Sequence, residues 1–478
     1  MIILGIFTII LTIALPTIKL SPLILTRICS IIILYAGALS FNVFDTYSIG
    51  SAVGIFNGFY EVSSLTLSFD IFILFIGSLI VLPWFKFKNI DEFSLVVLLS
   101  ITGSLLLISA SDLLSLFLSL ELQSFGVYVL SALYRDSESA TSSGLKYFLL
   151  GGLSSALILL GSIIIYSFTG LTNFDGIIAL SISYSIDNIN IGLVFGLLII
   201  LIGLFFKVSA APFHNWSPDV YDGVPTIITT WLTIIPKISI IVFLTVFIHP
   251  LLNLSLISTI IIISALLSLV LGSIVGLAQY RIKRLLAYST ISHIGFILLA
   301  FGTNASDSLL SILFYLVQYT ITNLNTFFIL IAFSYIIKLY KRDDVQIIDT
   351  LKGQFIINPI LSLCIVISLF SIAGIPPLIG FFAKLNVLHI AIHSGYYFIA
   401  FIGILTSIIS AFYYIRIIKT LIFVKPDNIQ INYQPTITLS NVHSYTIAIL
   451  TLILILYWLN PTVTTNLLNL IVFNVFNY

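Results

Sequence analysis

Charge is what this sequence has least of: Asp, Glu, Lys and Arg make up 8% of its 478 residues, against about 25% in an ordinary soluble domain. With 59% hydrophobic residues and a mean hydropathy of +1.20, no stretch is polar enough to fold as a separate aqueous domain, and a water-soluble globule is excluded. The net charge of +1 supplies no basic field for nucleic acid and no acidic tail. Cysteine is nearly absent. Cys29 and Cys364 both fall in apolar runs; they fall short of the four thiolates that an iron–sulfur cluster usually takes, and they suggest no disulfide framework. The sequence has no GxGxxG turn after a strand, no Walker loop and no flavin or haem site, so no cofactor or metal is expected on this chain.

What is abundant is apolar sequence in long runs. A bilayer span needs about 17–25 mostly apolar residues. About fourteen such runs lie between clusters of Pro, Asn, Asp, Lys and Arg: 3–18, 28–44, 69–85, 93–110, 113–134, 147–168, 191–212, 224–248, 252–277, 285–301, 309–337, 356–391, 396–415 and 445–459. They are continuously apolar rather than alternating with period 2, which excludes a strand barrel. The expected fold is an all-α polytopic membrane protein. The opening MIILGIFTIILTIALP has no positive n-region and no small-residue cleavage site, and reads as a retained first span.

The placement of charge tests this count. If the connections that follow odd-numbered spans share a side, that side holds Lys19, Arg27, Lys86, Lys88, Arg135, Lys146, Arg281, Lys283, Arg284, Lys338, Lys341, Arg342, Lys352, Arg416, Lys419 and Lys425, all but three of the 19 basic residues. The opposite loops, with Asp45, Glu61, Asp70, Asp112, Asp175, Asp187 and Asp307, contain neither Lys nor Arg. Basic residues accumulate in short loops on the non-translocated side, so both termini are expected on the far side.

The three remaining basic residues, Lys207, Lys237 and Lys384, and one acid, Glu121, sit inside spans. An ionisable side chain at mid-bilayer costs about 2.5–3.5 kcal/mol, so the four together cost roughly 10–14 kcal/mol gross, comparable with a whole domain's stability of about 5–15 kcal/mol. Such residues persist where they pair, face a hydrated interior or move charge. Glu121, in SLELQSFGVYVL, is either one half of a static ion pair or a proton acceptor whose affinity depends on its partner. Lys207 lies five residues before Pro212, which favours a helix break there; it either snorkels to the nearer surface or meets unpaired backbone groups and water at the break. Lys237 follows Pro236 near the middle of the eighth span, where snorkelling is hardest. Lys384 stands about two turns past AGIPPLIGFF, where Gly374, Pro376 and Pro377 divide a run too long for one straight helix into two half-helices.

Lys207 and Lys384 thus each accompany a Pro-broken helix, 177 residues apart; Glu121 precedes Lys207 by 86 residues, and His293 precedes Lys384 by 91. This spacing predicts two five-helix repeats, spans 4–8 (93–249) and spans 9–13 (250–424), with broken helices 7 and 12. A three-helix extension (1–92) precedes them, and a final helix with a short tail (425–478) follows. An odd number of spans inverts the second copy, as in secondary transporters. His293 is either a hydrogen-bonded structural histidine or a relay group. His389 and His393 have no matching His pair on another helix, so a metal or haem role is not expected. His214, Asp219 and Asp222 are expected at the basic-side mouth, capping helices or funnelling protons. Asp343 and Asp344, among Lys341, Arg342 and Lys352, read as a solvated loop.

At these residues the chain resembles the antiporter-like membrane subunits of respiratory complex I and their relatives in multisubunit cation/proton antiporters. The resemblance spans nearly all the helices. It is carried by LELQSFGVYVL with Glu121, FKVSAAPFHNWSPDVYDGVP with Lys207, PK with Lys237, RIKRLLAYSTISHIG with His293, and GIPPLIGFFAK with Lys384. It implies that Glu121 and Lys207 form a coupled pair, that Lys237 is a central relay and that Lys384 is the outlet. Within the family, Lys384 in place of a glutamate, and the short tail in place of a lateral amphipathic helix, resemble the subunit 2 type. The first three spans, missing from animal versions of that type, are present.

The resemblance further implies FMN, iron–sulfur clusters and ubiquinone in other subunits. It implies neighbours that include a chain 4 type antiporter-like subunit, small membrane subunits and phospholipids. The location it implies is the mitochondrial inner membrane, with basic loops in the matrix and termini toward the intermembrane space. Abundant Ile, Phe, Asn and Tyr fit an AT-rich coding genome such as a fungal mitochondrial one. Three rival readings remain: a stand-alone cation/proton antiporter subunit, a structural spacer whose buried charges only fix helix register, and, a distant third, a polytopic membrane enzyme, for which no nucleophile or metal cluster gathers at one interface.

Overall fold

The computed structural model describes residues 1–15, 21–46, 52–82, 91–183, 191–305, 307–336, 344–425 and 439–476. The helices up to the first break are α1 (Ile2–Ala14), α2 (Pro22–Thr46), α3 (Ser64–Val81), α4 (Phe93–Ile108), α5 (Leu113–Ala132), α6 (Glu138–Thr169), α7 (Phe174–Ser183) and α8 (Ile191–Val208). They are followed by α9 (Trp216–Gly223), α10 (Thr226–Phe247), α11 (Ser255–Leu277), α12 (Ile282–Gly302), α13 (Ser308–Ile336) and α14 (Gln354–Ile357). The last are α15 (Pro359–Ala373), α16 (Ile379–His393), α17 (Tyr397–Ile422), α18 (Asn441–Leu456) and α19 (Thr462–Phe476). Among the described residues, 11 helices are long and apolar enough to cross a membrane. The expected fourteen runs are these together with the shorter apolar helices α1, α4 and the pair α15 and α16. The chain is an all-α polytopic membrane protein.

It falls into two compact units, one formed by residues 1–209, 235–259 and 469–478, the other by 210–234 and 260–468. These divisions differ from the boundaries at 92, 249 and 424 drawn from the sequence. In the first unit, Asp112 caps α5: its Oδ1 accepts from the Leu114 N–H at 2.9 Å, and Ser115 Oγ accepts from the Asp112 N–H at 3.2 Å. Such a cap is worth about 1 kcal/mol. Ser63 and Thr66 make the same reciprocal box at α3. Glycines set the helix spacing. A Cβ on Gly103 of α4 would meet the Gln123 backbone of α5, and one on Gly126 would meet Ser100, so the two backbones approach closely. In the second unit Gly272 of α11 meets Tyr288 and Ser292 of α12, and Gly295 meets Ser268 and Leu269. Both glycine pairs are 23 residues apart.

The two helix breaks share a local pattern. After α8, Ser209 takes a left-handed φ of 66°, three residues before Pro212; after α15, Gly374 takes a φ of 86°, three residues before Pro377. The Ala211–Pro212 and Pro376–Pro377 peptides are cis. Gly374 closes α15 with the bonds of a Schellman cap, its N–H donating to Ser371 O at 3.1 Å and that of Ile375 to Phe370 O at 3.1 Å. The seventh-span helix therefore ends at Val208 rather than at Pro212. Only proline announces a break in sequence, whereas the turn begins at a left-handed serine. Superposing the breaks on these residues sets Lys207 opposite Ile372, not opposite Lys384: Lys207 precedes its break and Lys384 follows its own.

Other differences are local. Lys146, expected in a loop, lies inside α6, which starts at Glu138. The stretch after Leu459, expected as a short tail, forms the fifteen-residue α19. A hairpin of β1 (Val53–Ile55) and β2 (Tyr60–Val62) sits between α2 and α3. It is tied to the α4–α5 junction by Glu61 N–H to Ser109 O at 2.7 Å and Ser111 Oγ–H to Gly58 O at 2.6 Å. Lys19, Lys86, Lys88, Asp187, Lys338, Lys341, Arg342 and Asp343 lie outside the described residues.

Candidate functional site

In the first unit the charges within spans lie on α5, α8 and α10. Glu121 is on the third turn of α5, and its Oε1 is buried with no hydrogen-bond partner. Lys207 is in the last turn of α8, where an ammonium complements the negative helix end, and it is 7% exposed. Its Nζ donates to the Tyr128 hydroxyl at 3.2 Å. Glu121 acts on Lys207 and on Tyr128 through its charge rather than through a direct ion pair. Among the described residues Glu121 makes no salt bridge with Lys207. Lys237, 1% exposed, is in the middle of α10 directly after Pro236, which stands inside the helix without ending it. Two residues on, Ser239 Oγ accepts from Gln123 Nε2 at 2.7 Å, a buried polar link between α5 and α10.

In the second unit Lys384 lies in the second turn of α16. Its Nζ donates to the carbonyl of Ala373, the last residue of α15, at 2.8 Å, and stands 5.5 Å from the Phe296 ring centroid. The ammonium thus sits at the negative end of a half-helix, where a broken helix leaves carbonyls free to receive a cation. Gly374 lies against it: a Cβ there would come within 2.9 Å of Lys384 Cδ. His293, buried in α12, pairs its Nδ1 with the Tyr315 hydroxyl of α13 at 2.7 Å. Nearby, Ser289 Oγ and the Tyr414 hydroxyl are 2.5 Å apart, and the Tyr413 hydroxyl donates to that of Tyr414 at 3.4 Å.

Asp219 and Asp222 form a second, ionic cluster in the same unit. Arg281 pairs with Asp222 at 2.6 Å, and Arg284 pairs with Asp219 at 2.8 Å and with Asp222 at 3.2 Å. Asp344, expected in a solvated loop, is instead built in. Its Oδ2 accepts from Lys283 Nζ at 2.7 Å and from the Thr226 N–H at 3.0 Å, while its Oδ1 accepts from the Thr226 hydroxyl at 2.9 Å. It caps α10 from a distant part of the chain. Lys283, counted with the loop charges in sequence, is buried and also donates to Val224 O at 2.8 Å. Burial pushes the His214 imidazole in the break loop below its ordinary value, opposed by a hydrogen bond with Pro212. Burial also pushes His249, between α10 and α11, down to about 4. In the hairpin, burial and the Asp175 charge raise the Glu61 carboxyl. His389 and His393 face one another on α16, with Nε2 atoms 3.1 Å apart. Among the described residues no three His, Cys, Asp or Glu gather to hold a metal.

Of the five candidate residues, Lys207, Lys237, His293 and Lys384 are buried and Glu121 is half-buried; Glu121, Lys207 and Lys237 lie in one unit and His293 and Lys384 in the other. Sequence reasoning missed Tyr128, Tyr315 and Lys283. A tyrosine in an apolar span reads as lipid-facing, and a lysine flanked by two arginines reads as a loop charge. It also missed Asn323 and Asn325, fully buried in α13; their hydrophilic side chains inside a span were a signal that was available.

A family model described as NADH:quinone oxidoreductase/Mrp antiporter, TM, matches residues 110–410, the stretch that holds every buried candidate. NADH-ubiquinone oxidoreductase chain 2 of Rhizopus oryzae is 47% identical across 100% of both chains. Among solved structures, a chain of respiratory complex I from Thermus thermophilus with bound aureothin matches with a TM-score of 0.78 and 26% identity, covering 97% of this chain and 98% of that one. A chain of the Mrp complex from Dietzia sp. DQ12-45-1b, at TM-score 0.80 and 18% identity over 100% of this chain and 96% of that one, shares the fold. With a family model over most of its length and a full-length relative at this identity, the chain belongs to the NADH:quinone oxidoreductase/Mrp antiporter family of membrane subunits.

Proposed function

We propose that this chain is a membrane-arm subunit of a proton-pumping NADH:ubiquinone oxidoreductase, of the chain 2 type, and that it moves protons through buried lysines while quinone is reduced elsewhere in the complex. The observation that carries the reading is the environment of the lysines. Lys207 and Lys384 are buried ammonium groups held by a hydroxyl and by a carbonyl rather than by carboxylates. Neither partner neutralises the charge, so proton occupancy stays open to control by nearby charge. Glu121 supplies such a charge to Lys207.

In this mechanism a change in the field around Glu121 and Lys207 alters the proton occupancy of Lys207. Protons pass on to Lys237, and Lys384 is the outlet, with His293 a further titratable stop. The chain supplies no redox centre; FMN, iron–sulfur clusters and ubiquinone belong to other subunits. Its neighbours are a chain 4 type antiporter-like subunit, small membrane subunits and phospholipids. The basic loops face the mitochondrial matrix and the termini face the intermembrane space. The five-helix repeat reading is supported by the equal spacing of the two glycine pairs and by the left-handed residue three positions before proline at both breaks.

Replacing Lys237 by Met keeps the stem's volume and removes the charge. The expected result is an assembled complex with impaired coupled turnover; normal pumping in that variant would remove Lys237 from the path. Co-purification with flavin- and iron-bearing subunits separates this reading from a stand-alone antiporter.

A further inference from the structure

We propose that Tyr128 is a positioning residue for Lys207, and that Gly151 is glycine because the Tyr128 hydroxyl occupies the space a side chain would fill. The proposal rests on the relay reading of Lys207. Lys207 Nζ is 3.2 Å from the Tyr128 hydroxyl but 5.6 Å from its ring centroid, so the hydroxyl rather than the ring face makes the close contact. That hydroxyl accepts from the ammonium and is itself within reach of Ser124, whose Oγ donates to the Glu121 carbonyl at 3.2 Å. Lys207, Tyr128 and Ser124 thus form a line of polar groups leading back to the turn of α5 that carries Glu121.

The ring cannot swing away. Tyr147 stands edge-on to it at 4.8 Å and 86°, Phe148 at 5.8 Å and 86°, and Phe125 at 6.1 Å and 82°. Tyr147, Phe148 and Gly151 share α6. One turn beyond Tyr147, a Cβ on Gly151 would overlap the Tyr128 hydroxyl and the ring carbons behind it. The hydroxyl therefore rests on bare α6 backbone. Three helices cooperate: α6 fixes the ring, α5 carries it, and α8 brings the ammonium to its hydroxyl. A lysine stem has four rotatable bonds and loses much freedom when held. A fixed acceptor keeps its ammonium in one place in both protonation states of Glu121.

The test uses the reconstituted complex with assembly checked on the same preparation. Tyr128→Phe keeps the ring and its three edge contacts and removes only the hydroxyl. The expected result is full assembly, unchanged NADH oxidation by a soluble electron acceptor, and coupled proton pumping lowered about tenfold, the scale of one hydrogen bond to a charged group. Gly151→Ala should lower pumping similarly by displacing the hydroxyl. Wild-type pumping in Tyr128→Phe, or in Gly151→Ala, would overturn the proposal. Full pumping in Lys207→Ala would instead overturn the relay reading beneath it.

Discussion

Asp344 offers the sharpest structural test, because its carboxylate accepts three hydrogen bonds, from Lys283 and Thr226. It accepts from Lys283 Nζ at 2.7 Å, from the Thr226 N–H at 3.0 Å and from the Thr226 hydroxyl at 2.9 Å. Lys283 is 2% exposed at its side chain and Asp344 10%. Asp344→Ala leaves a buried ammonium with only the Val224 carbonyl to receive it. Removing one partner of a buried pair costs about 3–5 kcal/mol, and loss of the α10 cap adds about 0.5–2 kcal/mol. Lys283→Met should cost less, because the carboxylate keeps both Thr226 bonds. The assay is amide hydrogen exchange over the first turn of α10 in the assembled complex, which reads local opening. At about 1.4 kcal/mol per tenfold, Asp344→Ala should lower protection at Thr226–Ile228 by two orders of magnitude or more, and Lys283→Met by clearly less. Equal protection in wild type and Asp344→Ala would show that Asp344 does not hold the start of α10.

Two further outcomes follow from the same geometry. Gly374→Ala places a Cβ at a φ of 86° and within 2.9 Å of Lys384 Cδ, so it should cost about 1–2 kcal/mol in the backbone and pull the ammonium off Ala373 O; coupled turnover should fall in an assembled complex, and unchanged turnover would contradict the placement. The Glu61 carboxyl is raised above its ordinary 4.5 by burial and by Asp175. Its contribution to hairpin stability is therefore fully present below pH 4.5 and is lost as the pH rises through the raised value; Glu61→Gln should abolish this pH dependence of hydrogen exchange over Val53–Val62, and a persistent dependence would assign it elsewhere.

Much of the fold was legible because the bilayer imposes a crude rule: a spanning helix needs a long apolar run, and each apolar run in the sequence forms one helix or a broken pair. The division of the twelfth run was equally plain, since Gly374, Pro376 and Pro377 cannot continue a helix and Lys384 had to follow. The chain said less where physics acts through tertiary contact. Ser209 gives no local sign that it turns left-handed, so the seventh-span break was set at Pro212. The α19 sequence, TVTTNLLNLIVFNVF, mixes Thr and Asn into an apolar run and read as a tail. Asp344 and Lys283 looked like loop charges because their partnership spans 61 residues of sequence. Tyr128 and Gly151 are unremarkable singly; only the meeting of α5, α6 and α8 shows that one makes room for the other.

Whether the buried lysines carry protons or merely fix helix register is decided by counting protons pumped per NADH oxidised in reconstituted complex carrying Lys207→Ala, with assembly measured on the same preparation. The expected outcome is a well-assembled complex in which NADH oxidation no longer drives full pumping. Full pumping would make Lys207 a structural residue and move proton transfer out of this chain.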